Sequence, residues 1–202
     1  MEDLSNKIAI TFLGRSGSGK GTQVVRVVEY LGKDAYRIET GKILRTLAQK
    51  NNPTADFIKH ILESGQFVPF WLTVFLWTRE LVEEGVANRH LILDGSPRML
   101  MEAKTFDDVM EAHKRPLPIG VYIDVDEAEV TKRLLLRGRA DDSESTIKNR
   151  MKSFEQHVFP IIDYYKKDGR LIHVNGNGTP GEVWARLSNA LKERLKEVWP
   201  SP

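Results

Sequence analysis

The run Gly14-Arg15-Ser16-Gly17-Ser18-Gly19-Lys20-Gly21-Thr22-Gln23 combines glycines, a lysine and a hydroxyl at a spacing suited to one kind of chemistry. Glycine lets the backbone take conformations closed to other residues, so successive N–H groups can turn inward onto phosphate oxygens. A helix opening at Gly21-Thr22-Gln23 would add its N-terminal partial positive charge to the same anion. Lys20 could then reach the outer phosphates as a point charge. Gly21 stands directly after the lysine, where such loops usually carry Ser or Thr, and the hydroxyl comes one residue later at Thr22. The residues therefore point to a gripped nucleoside triphosphate and to phosphoryl transfer.

The variant Gly17-Ser18-Gly19-Lys20-Gly21-Thr22-Gln23 resembles the loop of the adenylate kinase family, and the resemblance continues along the chain. Thr40-Gly41-Lys42-Ile43-Leu44-Arg45 is similar to the family's monophosphate-binding segment. Gly65-Gln66-Phe67-Val68-Pro69 is similar to its base-lining turn, and Asp94-Gly95-Ser96-Pro97-Arg98 to its Asp-Gly-Phe-Pro-Arg. Arg133, Arg137, Arg139 and Arg150 fall in the order of its four C-terminal arginines. The resemblance implies a nucleoside monophosphate kinase, with ATP and a monophosphate, expected to be AMP, giving two diphosphates. It implies that Gly17–Thr22, Arg133, Arg137 and Gly178 serve ATP, with Lys20, Arg98, Arg137, Arg139 and Arg150 as the catalytic cations. Thr40, Arg45, Gln66, Val68, Gly95, Arg98, Glu102, Arg139 and Arg150 would serve the monophosphate. Asp94 would organise Mg²⁺ through water, and no zinc is expected.

Such a site needs cations more than covalent chemistry. Two highly charged phosphate chains must be brought together, so catalysis is positioning and charge stabilisation. Arginine is always charged and offers a planar fork to phosphate oxygens. Arg133 and Arg137 are four residues apart, so they share a helix face and repel unless an anion lies between them. No general base is required, because the acceptor phosphate is already anionic.

Three departures from the family pattern bear on specificity and closure. Arg137 and Arg139 are separated only by Gly138, so the inserted lid is cut nearly to nothing. Lids exclude water from reacting phosphates, and slow background ATP hydrolysis is the expected consequence. Glu102 stands where the family has glutamine; a carboxylate can accept from adenine N6–H but faces a lone pair at N1 unless it is protonated. Ser96 replaces phenylalanine and Lys42 replaces aspartate on the acceptor side. A UMP, CMP or GMP kinase is the alternative acceptor reading. A catalytically weak nucleotide switch or sensor is the alternative class, although the guanine-reading Asn-Lys-x-Asp motif of GTPase switches is absent.

These residues need a scaffold, and the apolar runs supply one. Ile8–Leu13, His90–Leu93, Ile119–Val125 and Leu171–Val174 read as buried strands, with a fifth at Ala35–Ile38. Helical patterns lie between them, which predicts an α/β three-layer P-loop fold on a parallel sheet of about five strands. Asp126 with Glu129, and Thr179-Pro180-Gly181-Glu182, read as capped helix starts. Asp142 and Ser143 precede a long helical segment that Pro160 should split. The expected organisation is one domain over 1–202, with a helical NMP-binding excursion at 40–69 and a truncated lid at 137–142.

Composition narrows the partners. The chain has 202 residues, a net charge of +2 and no cysteine, which excludes disulfides and thiolate metal sites. The charge is too mild to imply nucleic acid or a membrane, and no signal-peptide pattern opens the sequence. A soluble cytoplasmic monomer acting on small nucleotides is expected. The five histidines are scattered without ligand spacing. Arg26, Arg37 and Arg79 have no motif behind them and read as surface charges, while Trp71, Trp77 and Trp184 read as core or inter-helix filling.

Overall fold

All five apolar runs form strands, and alternation within them decides which helices they meet. The structure, a computed structural model, describes residues 4–138 and 142–199. Strands β1 (Ala9–Leu13), β2 (Ala35–Glu39), β3 (His90–Asp94), β4 (Ile119–Asp124) and β5 (Leu171–Asn175) form one parallel sheet in the order β2-β3-β1-β4-β5. Ile8 and Val125 fall just outside their strands but remain buried.

Side chains alternate across a strand. Ile10 and Phe12 join Ile92, Val121 and Ile123 in a core shared with helices α1 (Lys20–Leu31), α6 (Glu127–Arg137) and α9 (Pro180–Leu195). Ala9, Leu91 and Leu93 instead meet Trp77 and Leu81 of α4 (Phe70–Glu83) and Phe106 and Met110 of α5 (Leu100–Ala112). Leu13 and Tyr122 pack with Phe154 of α7 (Glu144–His157) and with Ile161 and Tyr165 of α8 (Phe159–Lys167). Helices thus cover both faces of the sheet, as the run of strands and helices predicts.

Between β2 and β3 the chain forms α2 (Thr40–Leu47) and α3 (Pro53–Ser64) before α4. Leu44, Ile58, Ile61, Val68, Leu72 and Leu76 give this excursion a small core of its own against α4. Asn52 caps α3 by accepting from the Ala55 N–H at 2.9 Å. At the edge where β4 and β5 begin, Arg170 makes a buried two-point pair with Asp107 of α5, at 2.6 and 3.1 Å, and also donates to the Pro118 carbonyl at 2.9 Å. This pair ties α5 to the loops flanking β4 and β5.

The helix starts divide. Thr179 and Glu182 form the full reciprocal cap of α9. Ser143 caps α7 by accepting from Thr146 N–H, and Pro160 separates α7 from α8 at Val158. Asp126 makes no side-chain cap bond and instead accepts from Asn177 Nδ2 at 3.3 Å, while Glu129 turns to Arg133 at 2.8 Å, a charged donor one turn along. Asp142 likewise does not cap; it turns towards two arginines described below. Trp77 is buried and Trp184 packs partly buried beside Tyr30, as expected, but Trp71 is 54% exposed. Six residues turn a helix about 240°, so burying Trp77 puts Trp71 on the other side of α4.

Candidate active site

The phosphate loop runs from the end of β1 into α1 at the carboxyl edge of the sheet, next to β3 and β4. Gly14, Gly17 and Gly19 have φ of 143°, 84° and 88°, conformations that side chains resist. Two of them are also sterically fixed. A Cβ on Gly14 would lie 2.5 Å from the Ile123 carbonyl oxygen, and one on Gly17 would lie 2.9 Å from Leu134 Cγ. The N–H groups of Thr22 and Gln23 both bond the Gly19 carbonyl. Those of the first turn before them have no helical acceptor and are available to an anion.

Lys20 Nζ donates to the carbonyls of Gly14 and Arg15, at 2.5 and 2.7 Å, so the ammonium is folded over the loop that carries it. Burial lowers its pKa to about 8; Asp94 opposes that shift, while Arg98 and Arg137 add to it.

A cavity of about 430 Å³ opens from the loop towards the excursion. Gly17, Gly19, Lys20, Gly21 and Thr22 form its floor, and Arg45, Arg98, Arg133, Arg137 and Arg150 stand around it. Gln66, Asp94 and Gly95 complete the expected residues on its wall. Ser18, Thr40, Val68 and Glu102 are instead buried beneath the surface, each at 5% exposure or less. Gly178 lies in the loop before α9 and is not on this wall. Arg139, with residues 140 and 141 of the expected lid, lies outside the described residues.

The arginines are held by specific partners. Arg137 makes a two-point fork with Asp142 at 2.8 and 2.7 Å, and Arg150 Nη1 reaches the same carboxylate at 2.8 Å. Burial pushes the Asp142 carboxyl up, but the hydrogen bonds and charges of Arg137 and Arg150 outweigh it and hold the group below its usual range. Arg98 Nε donates to the Gly95 carbonyl at 2.8 Å and its guanidinium lies 4.9 Å from the Phe67 ring centre. Thr40 donates to the Asp94 carbonyl at 3.2 Å, which joins α2 to the end of β3.

Glu102, in the first turn of α5, is 1% exposed. One oxygen accepts from the Arg98 backbone N–H at 3.0 Å, and the other is buried with no hydrogen-bond partner. Burial raises its pKa to about 7, against the opposing Arg98 N–H and charge.

Two residues of this site escape the sequence reading. Asp142 reads as a helix cap because it stands before Ser143, yet it neutralises two arginines; the nearby arginine order was the available signal. Arg37 reads as a surface charge, but its Nη2 bonds Asp94 Oδ2 at 2.6 Å on the cavity wall. Parallel pairing of β2 with β3 sets Glu39 opposite Asp94 and so brings Arg37 within reach, which only the register reveals. Arg26, by contrast, donates to the Pro180 carbonyl at an exposed site.

Among the described residues no cluster of three or more His, Cys, Asp or Glu could hold a metal ion by itself. Asp94 remains a single carboxylate facing the region of Lys20 and Gly21. That donor set suits a small hard cation carried in by phosphates and water, which takes one or two protein carboxylates.

A parallel sheet with a glycine-lysine loop at its carboxyl edge and a ring of arginines around one cavity defines a P-loop nucleotide-binding protein. Comparison with known proteins narrows the class. The adenylate kinase family model matches residues 12–170. The chain is 37% identical over 187 residues to an adenylate kinase of Thermus thermophilus, covering 91% of this chain and 96% of that protein. It is 33% identical to one from Prochlorococcus marinus over 92% of this chain and 97% of that protein. An adenylate kinase of Phocaeicola vulgatus is 32% identical over 91% and 98%. The chain belongs to the adenylate kinase family. It is therefore a phosphotransferase that uses a phosphate group as acceptor, a nucleoside monophosphate kinase.

Proposed function

We propose that the chain transfers the terminal phosphoryl group of Mg-ATP to AMP, giving two ADP. The observation that carries this reading is the charge of the cavity. Lys20 and six arginines surround about 430 Å³ beside one phosphate loop, more cation than a single bound nucleotide requires. Two phosphate chains meeting end to end would use it. The names of the relatives, all adenylate kinases, support adenine on both sides.

In this reading the loop amides and Lys20 hold the triphosphate, after Lys20 leaves the Gly14 and Arg15 carbonyls. Arg133, released from Glu129, packs on the ATP base, and Gly178 lies along the same side. Arg45 and Arg98 grip the acceptor phosphate, with Thr40, Gln66, Val68, Gly95 and Glu102 shaping that pocket; residues 40–69 form the acceptor-binding excursion. Arg137, Arg139 and Arg150 follow the transferring group, and residues 137–142 are a minimal lid.

The acceptor phosphate oxygen attacks in line, and the bond to the leaving diphosphate breaks as the new one forms. No protein base takes part. The fixed arginine forks stabilise charge that moves between oxygens, which costs no reorganisation at the moment of reaction. Mg²⁺, entering with ATP and held through water by Asp94, would neutralise the bridging phosphates.

Among the described residues no helix is long and apolar enough to cross a membrane. We take the enzyme as a cytoplasmic monomer acting on small nucleotides, with neither nucleic acid nor membrane as partner. The test is a panel of AMP, GMP, CMP, UMP and dTMP with Mg-ATP, reading diphosphate formation. AMP is expected to be the best acceptor. Preference for another base corrects the acceptor, and no transfer to any of them overturns the reading in favour of a nucleotide sensor.

A further inference from the structure

The cavity wall contains an ion pair that the reaction does not call for. Arg37 of β2 sends its guanidinium to Asp94 Oδ2 at 2.6 Å and to Glu39 at 3.2 Å. The two partners of the short contact are well covered, with side-chain exposures of 26% and 13%. The pair lies against the first turn of α1. A Cβ on Gly21 would come within 3.8 Å of Asp94 Oδ2 and 3.9 Å of Arg37 Nη2. Arg37 and Asp94 therefore stand side by side against the helix end where the phosphates of ATP are expected.

We propose that Arg37 is a positioning residue that competes with the metal of Mg-ATP for Asp94, holding the carboxylate until the metal-nucleotide displaces the guanidinium. This rests on Asp94 being the carboxylate that faces the metal. A charge-assisted hydrogen bond at this distance is a strong one, and metal-bound waters need the same acceptor lone pairs. Displacement leaves no stranded cation, because Glu39 remains in reach of Arg37. The exchange fixes Asp94 in the orientation the metal needs, and it weakens the metal's contribution to nucleotide binding.

The measurement is calorimetric affinity for a non-hydrolysable ATP analogue with and without Mn²⁺, since the ratio of the two affinities isolates the metal. Arg37→Gln is expected to raise that ratio about tenfold, the scale of one partly buried charged hydrogen bond. Removing a cation also alters the general field on phosphates, so the same substitution is repeated in an Asp94→Asn background. There it should change the ratio little, since the competition has no object. Arg37→Lys, which keeps the charge but loses the fork, is expected to fall between, and it serves if the glutamine variant does not fold. An unchanged or lowered ratio, or an equal rise in both backgrounds, overturns the proposal. If the unaltered protein gains nothing from Mn²⁺, or if Asp94→Asn alone leaves its ratio unchanged, the reading of Asp94 fails and the competition fails with it. A metal effect that depends on Asp94 but not on Arg37 overturns the competition alone.

Discussion

Replacing Glu102 with glutamine should raise the use of AMP at alkaline pH and flatten its pH dependence. The buried oxygen of Glu102 has no partner, while the other accepts the Arg98 N–H. A proton on the free oxygen turns the carboxyl into a donor–acceptor fork, the pattern a glutamine amide presents to adenine N1 and N6–H. Glu102 has a pKa of about 7 in the folded protein, so the fork is mostly present at pH 6 and mostly lost at pH 8. KM for AMP in the native protein should then be level below pH 7 and climb about tenfold per pH unit above it. Glu102→Gln should stay level throughout and exceed the native kcat/KM about tenfold at pH 8. The AMP phosphate titrates equally in both proteins, so their difference reports Glu102.

Stability gives a second readout of the same group. The folded pKa lies above the ordinary value of 4.5, so the stabilisation from the protonated form is complete below pH 4.5 and is lost as pH rises through about 7. The loss amounts to about 3 kcal/mol, and urea melts should show it in the native protein but not in Glu102→Gln. Identical pH profiles for AMP in the two proteins would refute the reasoning. A variant that loses GMP use while gaining no AMP use would show instead that the ionised carboxylate reads a guanine edge.

Other expectations follow from the same structure. Lys20→Met should lower kcat by roughly 10²–10³-fold, the scale for one preorganised charge on a reacting group, with AMP binding by calorimetry little changed. Asp142→Ala leaves Arg137 and Arg150 without their shared carboxylate; the free protein should lose about 1–3 kcal/mol, and ATP should restore more thermal stability to the variant than to the native chain. Asp107→Ala leaves Arg170 with only the half-exposed Asp168 carboxylate and the Pro118 carbonyl and should cost about 1–3 kcal/mol in denaturant melts, with kcat at low temperature unchanged. A lid as short as the one proposed at 137–142 should allow measurable ATP hydrolysis without acceptor; phosphate release no faster than in buffer would count against it.

Most of the fold was legible because the inner strands β1, β3 and β4 are short unbroken apolar runs buried on both faces, as parallel strands require. The edge strands β2 and β5 are only half buried, and β5 alternates instead of forming the buried run expected at Leu171–Val174. The phosphate loop was legible because its function depends on backbone freedom, which glycine states directly in the sequence. Register was not. Nothing local says that Arg37 lies two residues before the position facing Asp94, so its ion pair emerges only when β2 docks on β3. Asp142 shows the same limit at a helix start. Beside Ser143 it has the chemistry of a cap, and three-dimensional proximity to Arg137 and Arg150 decides otherwise. Trp71 and Trp77 have the same residue type on the same helix and opposite fates, which the helical turn settles only once the buried face is known.

The central claim is that both phosphate chains occupy one cavity at once. Titrating the protein with two adenosines joined through a chain of five phosphates tests it most directly, read by calorimetry alone and against each nucleotide. One molecule should bind per chain, tighter than ATP or AMP, and its binding should be blocked by either nucleotide. Two molecules per chain, or competition with ATP while AMP has no effect, would contradict the account.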